Sequence, residues 1–146
     1  PVFTSGKVPV LIITTAAGAK RLHEQSGATS VEIRAIRGSA TAIRASAILA
    51  EACMARPGKR ILVEGGPRLL GDFYAERLVD EQFLTLAPQI AGRNGGDRRL
   101  SLVMGKVFAP GDPLWGSLID ARRGSNHLFL RYSFPKPRPD QPTGRT

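Results

Sequence analysis

Residues 61–73 read Ile61-Leu62-Val63-Glu64-Gly65-Gly66-Pro67-Arg68-Leu69-Leu70-Gly71-Asp72-Phe73. The apolar run at the start of this stretch predicts a buried strand over residues 60–64, which ends in the carboxylate of Glu64. The glycine pair then predicts a tight turn into a helix that runs from Pro67 to about Leu78. A strand, a carboxylate, a glycine turn and a helix in this order are typical of a ligand site at the edge of an open α/β sheet.

The glycine pair and the start of the helix suit a phosphate group. Glycine has no Cβ, so a phosphate can approach the backbone closely at Gly65 and Gly66. The free N–H groups of the first helical turn, at Arg68 and Leu69, stabilise an anion together with the positive end of the helix dipole. Pro67 fits the first helical position, where its missing N–H is no loss. A plain glycine corner remains the alternative, because many strand-to-helix turns contain one.

The residues after this helix extend the pattern into a family resemblance. They read Leu78-Val79-Asp80-Glu81, then Phe83-Leu84-Thr85-Leu86-Ala87-Pro88, then Ile90-Ala91-Gly92. Over residues 61–92 the chain resembles the reductase domain of the riboflavin-biosynthesis deaminase-reductases, whose signature is a strand, Glu-Gly-Gly-Pro, a helix, a Leu-Val-Asp-Glu turn and a strand that ends near proline. The resemblance extends more weakly from about Val8 to Phe134. It implies the α/β fold of dihydrofolate reductase, a mixed and mostly parallel sheet flanked by helices.

The resemblance also implies an activity and a cofactor. Members of this family use NADPH to reduce a ribosylaminopyrimidinone phosphate to its ribitylamino product. The hydride comes from the nicotinamide of the cofactor, so no catalytic side chain is required. The protein then contributes the orientation of the reactants and the exclusion of water.

The site residues that the resemblance implies fall on two parts of this sequence. The family's matching Glu contacts the pyrimidine substrate, which makes Glu64 the candidate for substrate binding. The candidates for the cofactor phosphates are Gly65, Gly66, Pro67, Arg68 and Leu69. Thr14 and Thr15 end the first apolar strand, and the matching strand end in this fold lies by the adenosine ribose, so their hydroxyls are candidates for the 2′-phosphate. A plain turn at these two threonines is an equal alternative.

The composition predicts a soluble, cytoplasmic α/β domain. The chain has 146 residues, enough for one core, and 42% of them are hydrophobic. No apolar run approaches the ~20 residues of a membrane span, and no charged-then-apolar leader is visible. The single cysteine, Cys53, excludes an internal disulfide and fits a reducing compartment. We expect Cys53 to be a buried apolar residue, because no histidine lies near it in sequence to activate it.

The formal net charge of +9 suggests a second class of function, with a polyanionic partner. The Lys and Arg residues are scattered in small clusters, around residues 56–60, 93–99 and 122–123. Few of them alternate with aromatic residues, as stacking on single-stranded nucleic acid requires. A basic, non-catalytic nucleic-acid-binding module is therefore the less favoured alternative to a reductase, and a solvated basic surface is the plainest interpretation.

The rest of the sequence predicts the other elements of one domain over residues 1–134. The predicted strands are residues 8–13, 31–36, 83–88, 100–108 and 127–134, and the other predicted helix is residues 41–56, with one helical turn near residues 20–25. Trp115 is expected in the core, and a place in the lining of a pocket is the alternative. His23 and His127 lack companion ligands, so no metal site is predicted. Residues 135–146 are Pro-rich and are predicted to be a disordered tail.

The chain begins at Pro1, later than the family pattern does. Two strands that flank the residue 60–64 strand in the dihydrofolate-reductase sheet then have no counterpart here. That strand is expected to have unpaired backbone groups on both edges. The 146-residue chain alone is therefore expected to be loosely folded or aggregation-prone, and not to oxidise NADPH. For the complete protein the resemblance implies a homodimer.

Overall fold

The computed structural model describes residues 7–25, 31–36, 38, 42–92, 94 and 101–136. Its elements in chain order are β1 (Val10–Thr15), α1 (Ala16–Gln25), β2 (Val31–Ile36), α2 (Ala45–Ala55), α3 (Pro67–Ala75), β3 (Glu81–Leu86), β4 (Ser117–Gly124) and β5 (His127–Ser133). The chain divides into two compact units, Pro1–Glu64 and Gly65–Thr146. In the described residues no helix is long and apolar enough to cross a membrane.

The first unit is built on two parallel strands. β1 pairs with β2 in register from Val10 with Val31 to Thr15 with Ile36, and α1 connects the two strands. A crossover of this kind is what a parallel pair requires. Arg34 on β2 bonds Glu32 at 2.6 Å and Glu51 of α2 at 3.4 Å. The predicted strands are confirmed, whereas the single helical turn expected near residues 20–25 is a helix of 10 residues.

The second unit contains a three-stranded antiparallel sheet in the order β3-β5-β4. Helix α3 contacts one end of this sheet through Tyr74, whose hydroxyl donates a hydrogen bond of 2.6 Å to Gln82 Oε1. The Tyr74 ring also meets Phe134 edge to face at a centroid distance of 5.4 Å. The sequence did not predict β4, because its charged segment Asp120-Ala121-Arg122-Arg123 hides the alternation and the register shifts between Leu118 and Asp120.

Two predicted strands are wrong. Residues 60–64 belong to no sheet, and the side chain of Leu62 is 74% exposed, because no described strand supplies backbone partners for this segment. Residues 101–108 form an irregular segment in which Gly105 has a φ of +78°, a value outside the strand region. Residue 100 lies outside the described residues, as does the tail from residue 137 onward.

The predicted α/β class is present, but the expectation of a mostly parallel sheet is wrong: among the described strands only β1 and β2 are parallel, and β3, β5 and β4 are antiparallel. The predicted helix over residues 41–56 begins later, at Ala45, because Arg44 keeps an extended backbone with φ −67° and ψ 143°. Residue 41 lies outside the described residues.

Few apolar side chains are fully buried in the described residues: Ala19, Ala45, Phe73 and Tyr74. Cys53 is exposed, and Trp115 is 82% exposed, so the expectation that both would be buried is wrong. Cys53 lies on a side of α2 that nothing described covers, and Trp115 lies in an irregular segment just before β4. Burial raises the pKa of the Tyr74 phenol above its usual value.

Candidate functional site

The start of α3 leaves backbone donors free. Gly66 is the N-cap residue, with φ −64° and ψ 166°, and none of the described side chains caps the helix. The first helical hydrogen bond runs from the Leu70 N–H to the Gly66 carbonyl at 3.1 Å. Pro67 at the first position has no N–H, and the N–H groups of Arg68 and Leu69 have no acceptor within the helix. This end of α3 therefore presents unused donors and the positive end of the dipole.

The two glycines of the turn have different surroundings. A Cβ placed on Gly66 meets no atom within 4 Å, so the space beside this residue is open. A Cβ placed on Gly65 would lie 2.5 Å from Leu69 Cδ2, the end of a flexible side chain. Only Gly66 thus borders free space from which an anion could reach the backbone without displacing a side chain.

Helix α3 is fixed by a neighbouring segment that sequence reasoning missed. The Met104 N–H donates a hydrogen bond of 3.0 Å to the Pro67 carbonyl, and Lys106 Nζ lies 3.0 Å from Asp72 Oδ1. Gly71 is buried, and a Cβ there would lie 2.8 Å from the Met104 carbonyl oxygen. A glycine in the middle of a helix costs roughly 1 kcal/mol relative to alanine. The unfavourable glycine at position 71 is therefore the one feature of the sequence that indicates a close backbone contact here.

Glu64 is the last residue of the first unit. It follows the unpaired segment 60–63, its side chain is exposed, and it makes no ion pair within the described residues. An exposed carboxylate without a cationic partner keeps its oxygen atoms available as hydrogen-bond acceptors. The carboxylate is thus chemically able to accept N–H bonds from a ligand.

Thr14 and Thr15 end β1 and directly precede α1. The Thr15 hydroxyl accepts a hydrogen bond of 3.1 Å from the Gly18 N–H, which makes it a cap for the first turn of α1. Both threonines are half-buried. This cap is a structural role, which agrees with the alternative of a plain turn at the two threonines. A hydroxyl that accepts one hydrogen bond can still donate its own proton, so the cap does not prevent Thr15 from binding a phosphate.

The candidate residues lie on two stretches of the chain, residues 14–15 and 64–69, and the second stretch is divided between the two units after Glu64. Gly65, Gly66, Pro67, Arg68 and Leu69 lie together at the start of α3 in the second unit. Glu64 closes the first unit, and Thr14 and Thr15 lie at the end of β1 in that same unit. Of these candidates, only the residues at the start of α3 form one local site in the structure.

Much of the positive charge in the described residues is already paired. Arg34, Arg77, Lys106, Arg122, Arg131 and Lys136 each lie within 2.6–3.4 Å of a carboxylate. Hydrogen bonds to Glu32 and Glu81 raise the pKa of Arg34 and Arg131, respectively. No cluster of three or more metal-binding side chains is present in the described part of the chain.

Comparison with known proteins identifies the family. Residues 1–104 match the family described as the RibD C-terminal domain, and the chain belongs to this family. A solved structure of a pyrimidine reductase-like protein from Corynebacterium diphtheriae has a similar fold, with a TM-score of 0.63 at 22% sequence identity. This similarity confirms the predicted dihydrofolate-reductase-like α/β fold. The match covers 92% of this chain and 55% of that chain, so the present chain spans about half the length of its neighbour. None of the curated proteins matches the chain.

Proposed function

We propose that this chain is part of a riboflavin-pathway reductase that uses NADPH to reduce a ribosylaminopyrimidinone phosphate to the ribitylamino compound. The observation that carries the proposal is the open N-terminus of α3 at Gly66, in a chain of the RibD C-terminal domain family. The reaction itself is proposed for the whole protein, because the chain spans 55% of the neighbouring structure.

The cofactor role follows from the chemistry of the α3 start. A pyrophosphate carries negative charge and accepts hydrogen bonds, which matches the free N–H groups of Arg68 and Leu69. The open space beside Gly66 lets phosphate oxygens come within hydrogen-bond distance of the backbone. The guanidinium of Arg68 is exposed and adds positive charge at the same helix end.

The substrate role is proposed for Glu64. An aminopyrimidine edge presents adjacent N–H donors, and a carboxylate accepts two such bonds with its two oxygen atoms. Glu64 directly precedes the glycine pair in sequence, is exposed and makes no ion pair within the described residues. The hydride would come from the nicotinamide, so these residues bind and orient the reactants.

Titration calorimetry of the whole protein with NADPH and with NADH tests the cofactor. We expect NADPH to bind about tenfold more tightly, since its extra phosphate adds anionic contacts. Binding to a polynucleotide, measured over a range of salt concentrations, tests the rival function. Equal affinity for the two cofactors, together with polynucleotide binding that falls steeply with salt, would favour a nucleic-acid-binding module.

A further inference from the structure

The outer edge of β4 has no partner strand within the described residues. The three-stranded sheet of the second unit has the order β3-β5-β4, so β4 pairs with β5 on one edge only. The two further strands that the family resemblance implies flank the residue 60–64 segment, and they leave the outer edge of β4 open. An open edge presents backbone N–H and C=O groups that can pair with a strand of another chain.

The turn after β4 determines which backbone groups point outward. Gly124 pairs with His127 across the two-residue turn 125–126. The pair that flanks such a turn exchanges its hydrogen bonds, and bonded and non-bonded pairs then alternate along an antiparallel ladder. The N–H and C=O groups of Gly124 therefore point toward β5, whereas those of Ala121 and Arg123 point away from it. The outward groups of Ala121 are the more central of these on β4, which runs from Ser117 to Gly124.

The charges beside Ala121 have opposite signs. Asp120 precedes it and Arg122 follows it, and Arg122 Nε lies 2.7 Å from Asp120 Oδ2. A two-fold axis through Ala121 would place Asp120 of each copy directly opposite Arg122 of the other copy. Opposite charges in facing positions stabilise a pair of strands, whereas like charges destabilise it. The outer edge of β4 is thus complementary to itself in one antiparallel register.

We propose that two copies of this chain associate through the outer edges of their β4 strands, antiparallel and centred on Ala121. The Ala121 N–H of each copy then donates a hydrogen bond to the Ala121 carbonyl of the other copy. Leu118 and Ile119, which are 58% and 48% exposed, lie next to the paired stretch and become partly covered. The formal net charge of +9 opposes association in general, so the facing opposite charges select this register.

Sedimentation equilibrium of the whole protein and of two charge variants tests the register. The parent should be a dimer. Asp120→Arg puts two arginines opposite each other and Arg122→Asp puts two aspartates opposite each other, so each variant alone should have a dimer dissociation constant at least about tenfold higher. An equimolar mixture of the two variants restores opposite charges at both facing positions and should form a heterodimer as tightly as the parent. Asp80→Arg, at an exposed ion pair just before β3, is the matched control and should leave the dimer unchanged.

Ala121→Pro tests the backbone pairing separately. It removes the N–H at the proposed axis, where an edge strand tolerates proline, and should weaken dimerisation at least about tenfold without changing the far-ultraviolet circular dichroism spectrum. A monomeric parent, or charge variants that dimerise as tightly as the parent, would overturn the proposal. Failure of the two monomeric variants to associate when mixed would do the same, because positions 120 and 122 would then not face each other. A dimer that survives Ala121→Pro unchanged would show that the copies do not meet through strand pairing.

Discussion

Met104 and Pro67 are joined by a backbone hydrogen bond of 3.0 Å, donated by the Met104 N–H to the Pro67 carbonyl. The bond ties the irregular segment after residue 100 to the first turn of α3. Gly71 lies one turn further along the helix, against the Met104 carbonyl oxygen. The helix end proposed to bind phosphate is therefore held in place by a residue 37 positions away in sequence.

Gly71→Ala should destabilise the second unit. The added Cβ would lie 2.8 Å from the Met104 carbonyl oxygen and 3.1 Å from Val103 Cγ1. Relief of this overlap requires the backbone to move, at a cost of about 1–3 kcal/mol that exceeds the gain in helix propensity. Urea unfolding measures the change, with Gly111→Ala as the control because nothing lies near that position. A rise in the free energy of unfolding for Gly71→Ala would contradict the close approach.

In the whole protein, Gly66→Val should weaken NADPH binding at least about tenfold, which corresponds to about 1.4 kcal/mol. The side chain would hold the pyrophosphate away from the N-terminus of α3. The φ of −64° suits any L-residue and the Cβ meets no atom within 4 Å, so the fold should be unaffected. Gly111→Val, at another open glycine of the same unit, is the matched control. Equal calorimetric affinities for the two variants and the parent would reject the phosphate role.

The stability of the second unit should fall in alkaline solution because of Tyr74. Burial raises its pKa in the folded state above the usual value of 10.0. The stability contributed by the neutral phenol is fully present below pH 10 and is lost as the pH rises through the higher folded-state pKa. Tyr74→Phe should flatten this alkaline decline while lowering stability at neutral pH by about 1 kcal/mol, because the hydrogen bond to Gln82 is lost. An equally steep alkaline decline in the variant, measured by urea unfolding, would contradict this role of Tyr74.

The emission of Trp115 should resemble that of tryptophan in water. It is the single tryptophan of the chain and is 82% exposed, so its fluorescence reports on this position alone. Iodide should quench it nearly as efficiently as it quenches the free amino acid. A blue-shifted spectrum with weak quenching would mean that Trp115 is covered, either by the chain itself or by self-association.

Local patterns predicted what local chemistry determines. The apolar run before Thr14, the alternation at residues 31–36 and the Gly-Gly-Pro start of α3 each specify one element, and these elements are present. The residue 60–64 segment has an equally apolar pattern but forms no strand, because a strand requires partners and none of the described segments supplies them. The apolar pattern of one segment cannot show whether a partner strand is present to form hydrogen bonds with it.

The candidate site, like the fold, was predictable only where it depends on consecutive residues. The Glu-Gly-Gly-Pro motif located the free helix end at Gly66, which is a property of consecutive residues. The contact between Gly71 and Met104 was not predictable, since it joins residues 33 positions apart through an irregular segment. Trp115 was expected in the core because it is a large aromatic residue, but its side chain is exposed. Residue type alone did not show that the irregular segment before β4 leaves this side chain in solvent.

The order of strands in the second unit has a consequence for synthesis on the ribosome. Among the described strands, β3 and β4 do not pair with each other, and each pairs only with β5, the last of the three to be made. When β3 has emerged, the residues that will bond to it begin more than 40 positions later, at His127. Neither earlier strand has its partner until β5 is made. β3 ends at Leu86 and therefore stays unpaired in the nascent chain for several seconds at ordinary translation rates, whereas β4 ends at Gly124, just before β5 begins. Binding by a chaperone during this interval would protect the chain, and a stop codon before residue 127 would remove the central strand from the entire sheet.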